Sequence, residues 1–194
     1  GRDQFDSTSI EYVDSEKDPP KCVGVLRRMV QNLERDVVEK FDAALARSGA
    51  EIVDIDIPLS DIAIAAYYII NFAEVSTNLA RFDGIRYGNA VRGKTLLDDY
   101  TLSRTEGFGR ETLRRILLGT FVLSAGYIDS YYKKAEAARA ALRAAYEQSF
   151  KSVDVIATPT MPTPAFVIGE KNDPLSMYLE DIFTVTANLT GMPA

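Results

Sequence analysis

The sequence has no histidine among its 194 residues. That absence removes whole mechanisms. Neither a Ser-His-Asp nor a Cys-His hydrolase can be assembled from these residues, and a typical catalytic zinc site loses its imidazoles. Any acid–base work falls to lysine, tyrosine or carboxylates. Cysteine is nearly absent too. Cys22 stands alone, so no intrachain disulfide and no thiolate metal cluster can form, a usage that fits a reducing cytoplasm. There is no run of about 18 apolar residues and no charged-then-apolar leader, so a soluble, untargeted, cytoplasmic protein is expected. Basic residues are in the minority: 22 Lys and Arg against 28 Asp and Glu leave a net charge of −6. Such a chain binds phosphate backbones poorly, and direct, unaided contact with nucleic acid is disfavoured.

What is present is a foldable chain. Apolar residues make up 46%, enough for one domain with a sizeable core, and two domains would be crowded. The chain opens on Gly1-Arg2-Asp3 and stops in a mostly apolar stretch, Asn188 to Ala194. Natural termini are usually exposed and poorly ordered, so the sequence reads as a segment cut at both ends.

Residues 1–20 are polar, end in Asp18-Pro19-Pro20 and read as an extended entry loop. Lys21 to Val25 is a short strand. Asn32 to Ser48 has helical spacing, with Leu33, Val37, Val38, Phe41, Ala44 and Leu45 on one face and Ser48-Gly49 as its stop. Glu51 to Ile57 alternates: Val53, Ile55 and Ile57 face one way, Asp54 and Asp56 the other. This strand–helix–strand unit predicts a parallel pair.

A long helix is expected from Leu59 to about Leu79. It is apolar almost all round, and so covered on more than one side. Residues 81–95 read as loop, and Leu96 to Ser103 as a short helix. Helices over 108–124 and 127–150, divided at Gly126, predict an antiparallel hairpin. Val153 to Ala157 reads as a strand, and the proline-rich run from Thr158 to Pro164 as a loop. Asp173-Pro174 caps a last helix, residues 174–184. The elements describe a mixed α/β chain.

Few side chains stand out. In the helix over 108–124 the core stripe reads as Leu113, Ile116, Leu117, Thr120 and Phe121. Arg115 lies away from that stripe, on a side shared with Phe108, Leu118, Gly119 and Val122. It either lines a cleft or reaches to the surface, snorkelling or paired with Glu111. Asp181, between Leu179 and Ile182, reads alone as a surface carboxylate. Tyr67 and Tyr68 sit in the apolar helix and need hydrogen-bond partners. Cys22 reads as a small buried hydrophobe rather than a nucleophile. The glycines at 84, 88 and 93 match no phosphate-binding loop. These residues alone do not name a reaction.

Longer stretches are more specific. Glu74 to Gly88 reads E-x-S-x-N-L-x-R-F-D-G-x-R-Y-G. Arg104 to Gly109 reads R-x-E-G-F-G. Arg114 to Thr120 reads R-R-I-x-L-G-T, followed by S-x-G-Y at Ser124 and Y-Y-x-K-A at Tyr131. Asp154 to Pro162 gives D-x-x-x-x-P-T-x-P, Asp173 to Tyr178 gives D-P-L-S-M-Y, and Asn188 to Pro193 gives N-L-T-G-M-P. Asp6-Ser7-Thr8-Ser9 looks like the start of the series. In order and along the whole chain, these blocks resemble the A subunits of tRNA-dependent Glu/Asp amidotransferases, within the amidase-signature family.

The resemblance implies an α/β/α domain with a mixed central sheet flanked by helices, of which residues 1–194 would be a part lacking the N-terminal portion and the last strands. It implies a serine, a cis-serine and a lysine as catalytic group, in keeping with the missing histidine. Those three lie upstream in the family, so no catalytic residue is assigned to this segment and no metal site. By position in the motifs, Arg115 matches the arginine that holds the glutamine α-carboxylate. Asp181 matches the aspartate that meets the α-amino group. Tyr67, with Tyr68 as its neighbour, matches a tyrosine lining the pocket. A zwitterionic amino acid requires one fixed cation and one fixed anion, which is the logic of that pair. The resemblance further implies partner subunits B and C, glutamine as substrate, tRNA reached through the partner, and ATP with Mg²⁺ used by the complex.

Overall fold

The computed structural model describes residues 19–31, 33–171 and 173–194. The entry loop over 1–20, the Asp6–Ser9 stretch and Asn32, the expected start of a helix, lie wholly or almost wholly outside them. The chain forms two compact units, one from Gly1–Ile64 with Ala140–Ala194, the other from Ala65–Arg139.

The first unit is organised by a sheet of three parallel strands, β1 (Cys22–Val25), β2 (Glu51–Asp54) and β3 (Val155–Ala157), in the order β2-β1-β3. β1 is central, and its run Val23-Gly24-Val25 is buried accordingly. The parallel pairing expected of the first two strands is present, with Cys22 opposite Glu51 and Val25 opposite Asp54. Between them lie a single turn, α1 (Arg27–Val30), and α2 (Arg35–Ser48). Gly49 closes α2 in the left-handed conformation. Leu45 of α2 packs with Val23 and Val25, and Phe41, Ile52 and Ala157 surround them.

β3 is locked to β1 by one side chain. The Asp154 carboxylate accepts the N–H groups of Lys21 (2.8 Å) and Cys22 (2.9 Å), while the Asp154 N–H donates to the Cys22 carbonyl (3.0 Å). These bonds hold the Asp154 carboxyl below the usual carboxylate range, the Cys22 N–H contributing most and the Lys21 N–H next.

The second unit contains most of α3 (Ala63–Leu79), then α4 (Leu96–Gly107), α5 (Arg110–Val122), a π-helical turn over Ile128–Tyr132 and the first part of α6 (Lys133–Ser149). α3 is covered on two sides, as its composition predicts. Ala63, Ala66, Ile70 and Ala73 make one buried row, and Tyr68 and Phe72 another. At about 100° per residue these rows lie on roughly opposite faces. A 3₁₀ turn, Ser60–Ile62, precedes α3, and Leu59 ahead of it takes the left-handed conformation at φ 68°.

The expected helix over 108–124 is α5, but its orientation reverses the expectation. Leu113, Leu117 and Phe121 are exposed, Leu117 to 70%, whereas Gly119 and Val122 are buried. The packed face is the one that carries Arg115. The helix expected over 127–150 begins as the π-helical turn, and Tyr127 and Tyr131 lay their rings against Phe121 at 4.3 and 6.1 Å.

The loop over 80–95 is held by its own motif. Asp83 accepts from the Ile85 N–H (2.8 Å), and Arg104 donates to the Leu79 and Phe82 carbonyls (both 3.2 Å). The buried Ser103 hydroxyl bonds both the N–H and the carbonyl of Val91. Gly84, at φ 77°, lies so near Ser103 that a side chain has no room. The R-F-D-G-x-R-Y-G block is thus spent largely on closing this loop.

In the first unit, the last expected helix is two helices. α7 (Pro174–Leu179) starts at Asp173, whose carboxylate accepts the Ser176 N–H (2.9 Å), with Pro174 at its first position as predicted. After Leu179 the backbone bonds shorten to the three-residue pattern, Glu180 to Met177, Asp181 to Tyr178 and Ile182 to Leu179. α8 (Val185–Thr190) follows.

Candidate functional site

Arg115 emerges from the packed face of α5, four residues after Glu111 and four before Gly119. Its Nε–H donates to Glu111 Oε1 at 2.9 Å, and Arg114 takes the other carboxylate oxygen. The pairing with Glu111 anticipated from the sequence is therefore present. The side chain is nevertheless only 31% exposed, too enclosed for a freely solvated surface arginine. Its setting follows from Gly119. A β-carbon there would overlap the Phe72 carbonyl oxygen and stand 2.6 Å from Ser76 Oγ. α5 and α3 thus touch backbone to backbone one turn beyond Arg115.

Tyr67 and Tyr68 separate clearly. Tyr68 is buried, its ring edge-on to Tyr67 (centroids 5.2 Å, 84°) and tilted against Phe72 (5.5 Å). Tyr67 is half-buried. Tyr68 is the core tyrosine of the two.

Asp181 lies in the turn between α7 and α8 rather than inside a helix. It is exposed, and its carbonyl accepts from the N–H groups of Thr184 and Val185 at 3.0 Å each. Arg115 and Tyr67 belong to the unit Ala65–Arg139 and Asp181 to the other.

A cavity of about 220 Å³ was not foreseen from the sequence. Its lining includes Glu74, Thr77, Asn78, Leu123 and Tyr132. Burial pushes the Tyr132 phenol up, and the Glu136 and Glu74 carboxylates push it the same way. The signal was available: Glu74, Thr77 and Asn78 are polar residues on a largely apolar helix. Cys22 is partly buried, its Sγ 3.6 Å from the Ser152 carbonyl. Burial, Glu51 and Asp154 raise its thiol pKa, the opposite of what a nucleophile requires. Among the described residues no three His, Cys, Asp or Glu side chains form a group able to hold a metal, and no helix is long and apolar enough to cross a membrane.

A parallel sheet with helices, an enclosed arginine in the R-R-I block and an exposed aspartate three residues beyond the D-P-L-S-M-Y block describe an α/β protein. The chain belongs to the amidase family, whose profile, described as Amidase, matches residues 1–194. It is 49% identical over its whole length to the A subunit of the glutamyl-tRNA(Gln) amidotransferase of Chlorobium limicola, covering 44% of that protein. To the corresponding A subunit of Koribacter versatilis it is 48% identical, covering 43%. The crystal structure of the same subunit from Thermotoga maritima superposes with a TM-score of 0.68 at 35% identity, over 98% of this chain and 39% of that one. The structure of an amidase at 19% identity, with a TM-score of 0.63, shares the fold. The chain spans less than half the length of these relatives.

Proposed function

We propose that this segment supplies the amino-acid-recognition side of the glutamine pocket in the ammonia-supplying A subunit of an amidotransferase. In this reading Arg115 holds the glutamine α-carboxylate, Asp181 the α-ammonium, and Tyr67 lines the pocket. The enclosed position of Arg115 carries the assignment. A partly desolvated guanidinium binds a carboxylate more strongly than a solvated one, and Glu111 at Nε holds the side chain in one orientation.

The whole protein would hydrolyse glutamine with a serine, a cis-serine and a lysine supplied from outside these 194 residues. It would pass ammonia to a B subunit in a complex with subunits B and C. There ATP and Mg²⁺ activate Glu-tRNA(Gln) or Asp-tRNA(Asn), giving Gln-tRNA or Asn-tRNA. ATP, Mg²⁺ and tRNA belong to the partner, and the acidic chain fits that division. The cytoplasm is the compartment where such chemistry takes place. Residues 1–194 alone should hydrolyse no glutamine. A glutaminase assay on the isolated segment tests this, and turnover above background overturns it.

The family also accommodates hydrolysis of another small amide, and a substrate screen with the full-length protein separates the two. The exposed stripe Leu113, Leu117 and Phe121 favours a further reading, in which α5 belongs to a non-catalytic helical interaction module. Retention of amidotransferase partner subunits together with glutamine turnover by the full-length protein would exclude that reading.

A further inference from the structure

Glu180, the residue before Asp181, carries one of the few buried charges in the described residues. Its side chain is 8% exposed, and both carboxylate oxygens are engaged. Lys171 Nζ pairs with Oε1, and the Thr163 hydroxyl donates to Oε2 at 2.8 Å. Lys171 Nζ also lies 3.4 Å from Thr163 Oγ1 and 4.6 Å from the centre of the Phe166 ring. A buried carboxylate is tolerated only when it is paired and hydrogen-bonded. This one ties the proline-rich loop after β3, through Thr163, and the following segment, through Lys171, to the turn that carries Asp181.

Within that turn Glu180 and Phe183 are buried while Asp181 is exposed. The turn's backbone bonds are of the three-residue type and its neighbouring helices are six residues each. Adjacent residues in such a turn point in different directions, so fixing the Glu180 side chain inward sets the direction of Asp181. We propose that Lys171 and Thr163 are positioning residues: through Glu180 they hold Asp181 in the orientation that meets the α-ammonium of an amino-acid substrate. The inference rests on the assignment of Asp181 made above.

The test uses the full-length protein with its partner subunits and two amides, glutamine and its des-amino analogue, which lacks the α-ammonium. Thr163→Val removes one hydrogen bond from Glu180. It should raise KM for glutamine about threefold to tenfold, the worth of one such bond, with kcat nearly unchanged. KM for the des-amino analogue should not move. Lys171→Met should act in the same sense and more strongly, and Lys171→Arg should restore glutamine KM. Should Lys171→Met fail to fold, Thr163→Val with Lys171→Arg still decides. In the Asp181→Asn background, Thr163→Val should add nothing further. Equal effects on both amides, or none on glutamine while Asp181→Asn raises its KM, would overturn the positioning role. An Asp181→Asn variant with unchanged glutamine KM would overturn the assignment of Asp181 itself, and the inference with it.

Discussion

A side chain at Gly119 would occupy the space of the Phe72 carbonyl oxygen, because α5 and α3 cross there in direct backbone contact. The obstruction is backbone and cannot swing aside. Gly119→Ala must therefore push the helices apart, at a cost of about 1–3 kcal/mol or more. Gly107, at the end of α4, has nothing within 4 Å of its would-be β-carbon. Gly107→Ala should change stability by less than about 0.5 kcal/mol. Denaturant midpoints of the two variants check the contrast. Equal midpoints would argue against the crossing.

Asp154 makes a second prediction, in pH. Its folded-state pKa is depressed by the Cys22 and Lys21 N–H groups. Its contribution is therefore complete above the unfolded carboxylate value, about 3.9, and is lost as the pH falls through the lower folded value. Asp154→Ala should be less stable than wild type at pH 7, and the gap should narrow below pH about 3.5. Urea midpoints at both pH values measure it. A gap that does not depend on pH would point to packing instead.

Cys22 should be a slow thiol. Burial, Glu51 and Asp154 all raise its pKa, so less thiolate is present at neutral pH. Alkylation by iodoacetamide at pH 7.5, a neutral probe, should run slower than for free cysteine, and Glu51→Gln should speed it. Reaction at or above the free-cysteine rate would contradict this environment.

The fold was partly legible, element by element. The parallel pair β1 and β2, the loop after β3 and the Asp173-Pro174 helix start follow from local chemistry that tertiary context leaves intact. The orientation of α5 was not legible. Its sequence carries two stripes, and hydrophobicity selects Leu113, Leu117 and Phe121. The structure selects the face with Gly119, because a residue without a side chain allows backbone contact that a hydrophobicity pattern does not register. The split of residues 174–184 escaped for a related reason. The partners of Glu180, Lys171 and Thr163, lie outside the window over 174–184. The division into two units was hidden as well, since the 75 residues Ala65–Arg139 fall between β2 and β3 without a compositional seam. Of the candidate site, Arg115, Asp181 and Tyr67 came from motif resemblance. The sequence pattern alone offered only an arginine with two readings, and the structure shows it both paired with Glu111 and two-thirds enclosed.

The most direct measurement is glutamine KM in the full-length protein carrying Arg115→Ala. The bond lost to Glu111 is a partly exposed pair within one helix, worth about 0.3–0.5 kcal/mol. Loss of a charged contact to substrate should raise KM by about tenfold or more, a far larger effect than the one on stability. Arg115→Lys should fall between, keeping the charge without the fork. A KM that stays at the wild-type value in Arg115→Ala, with the protein folded and turning over glutamine, would contradict the account.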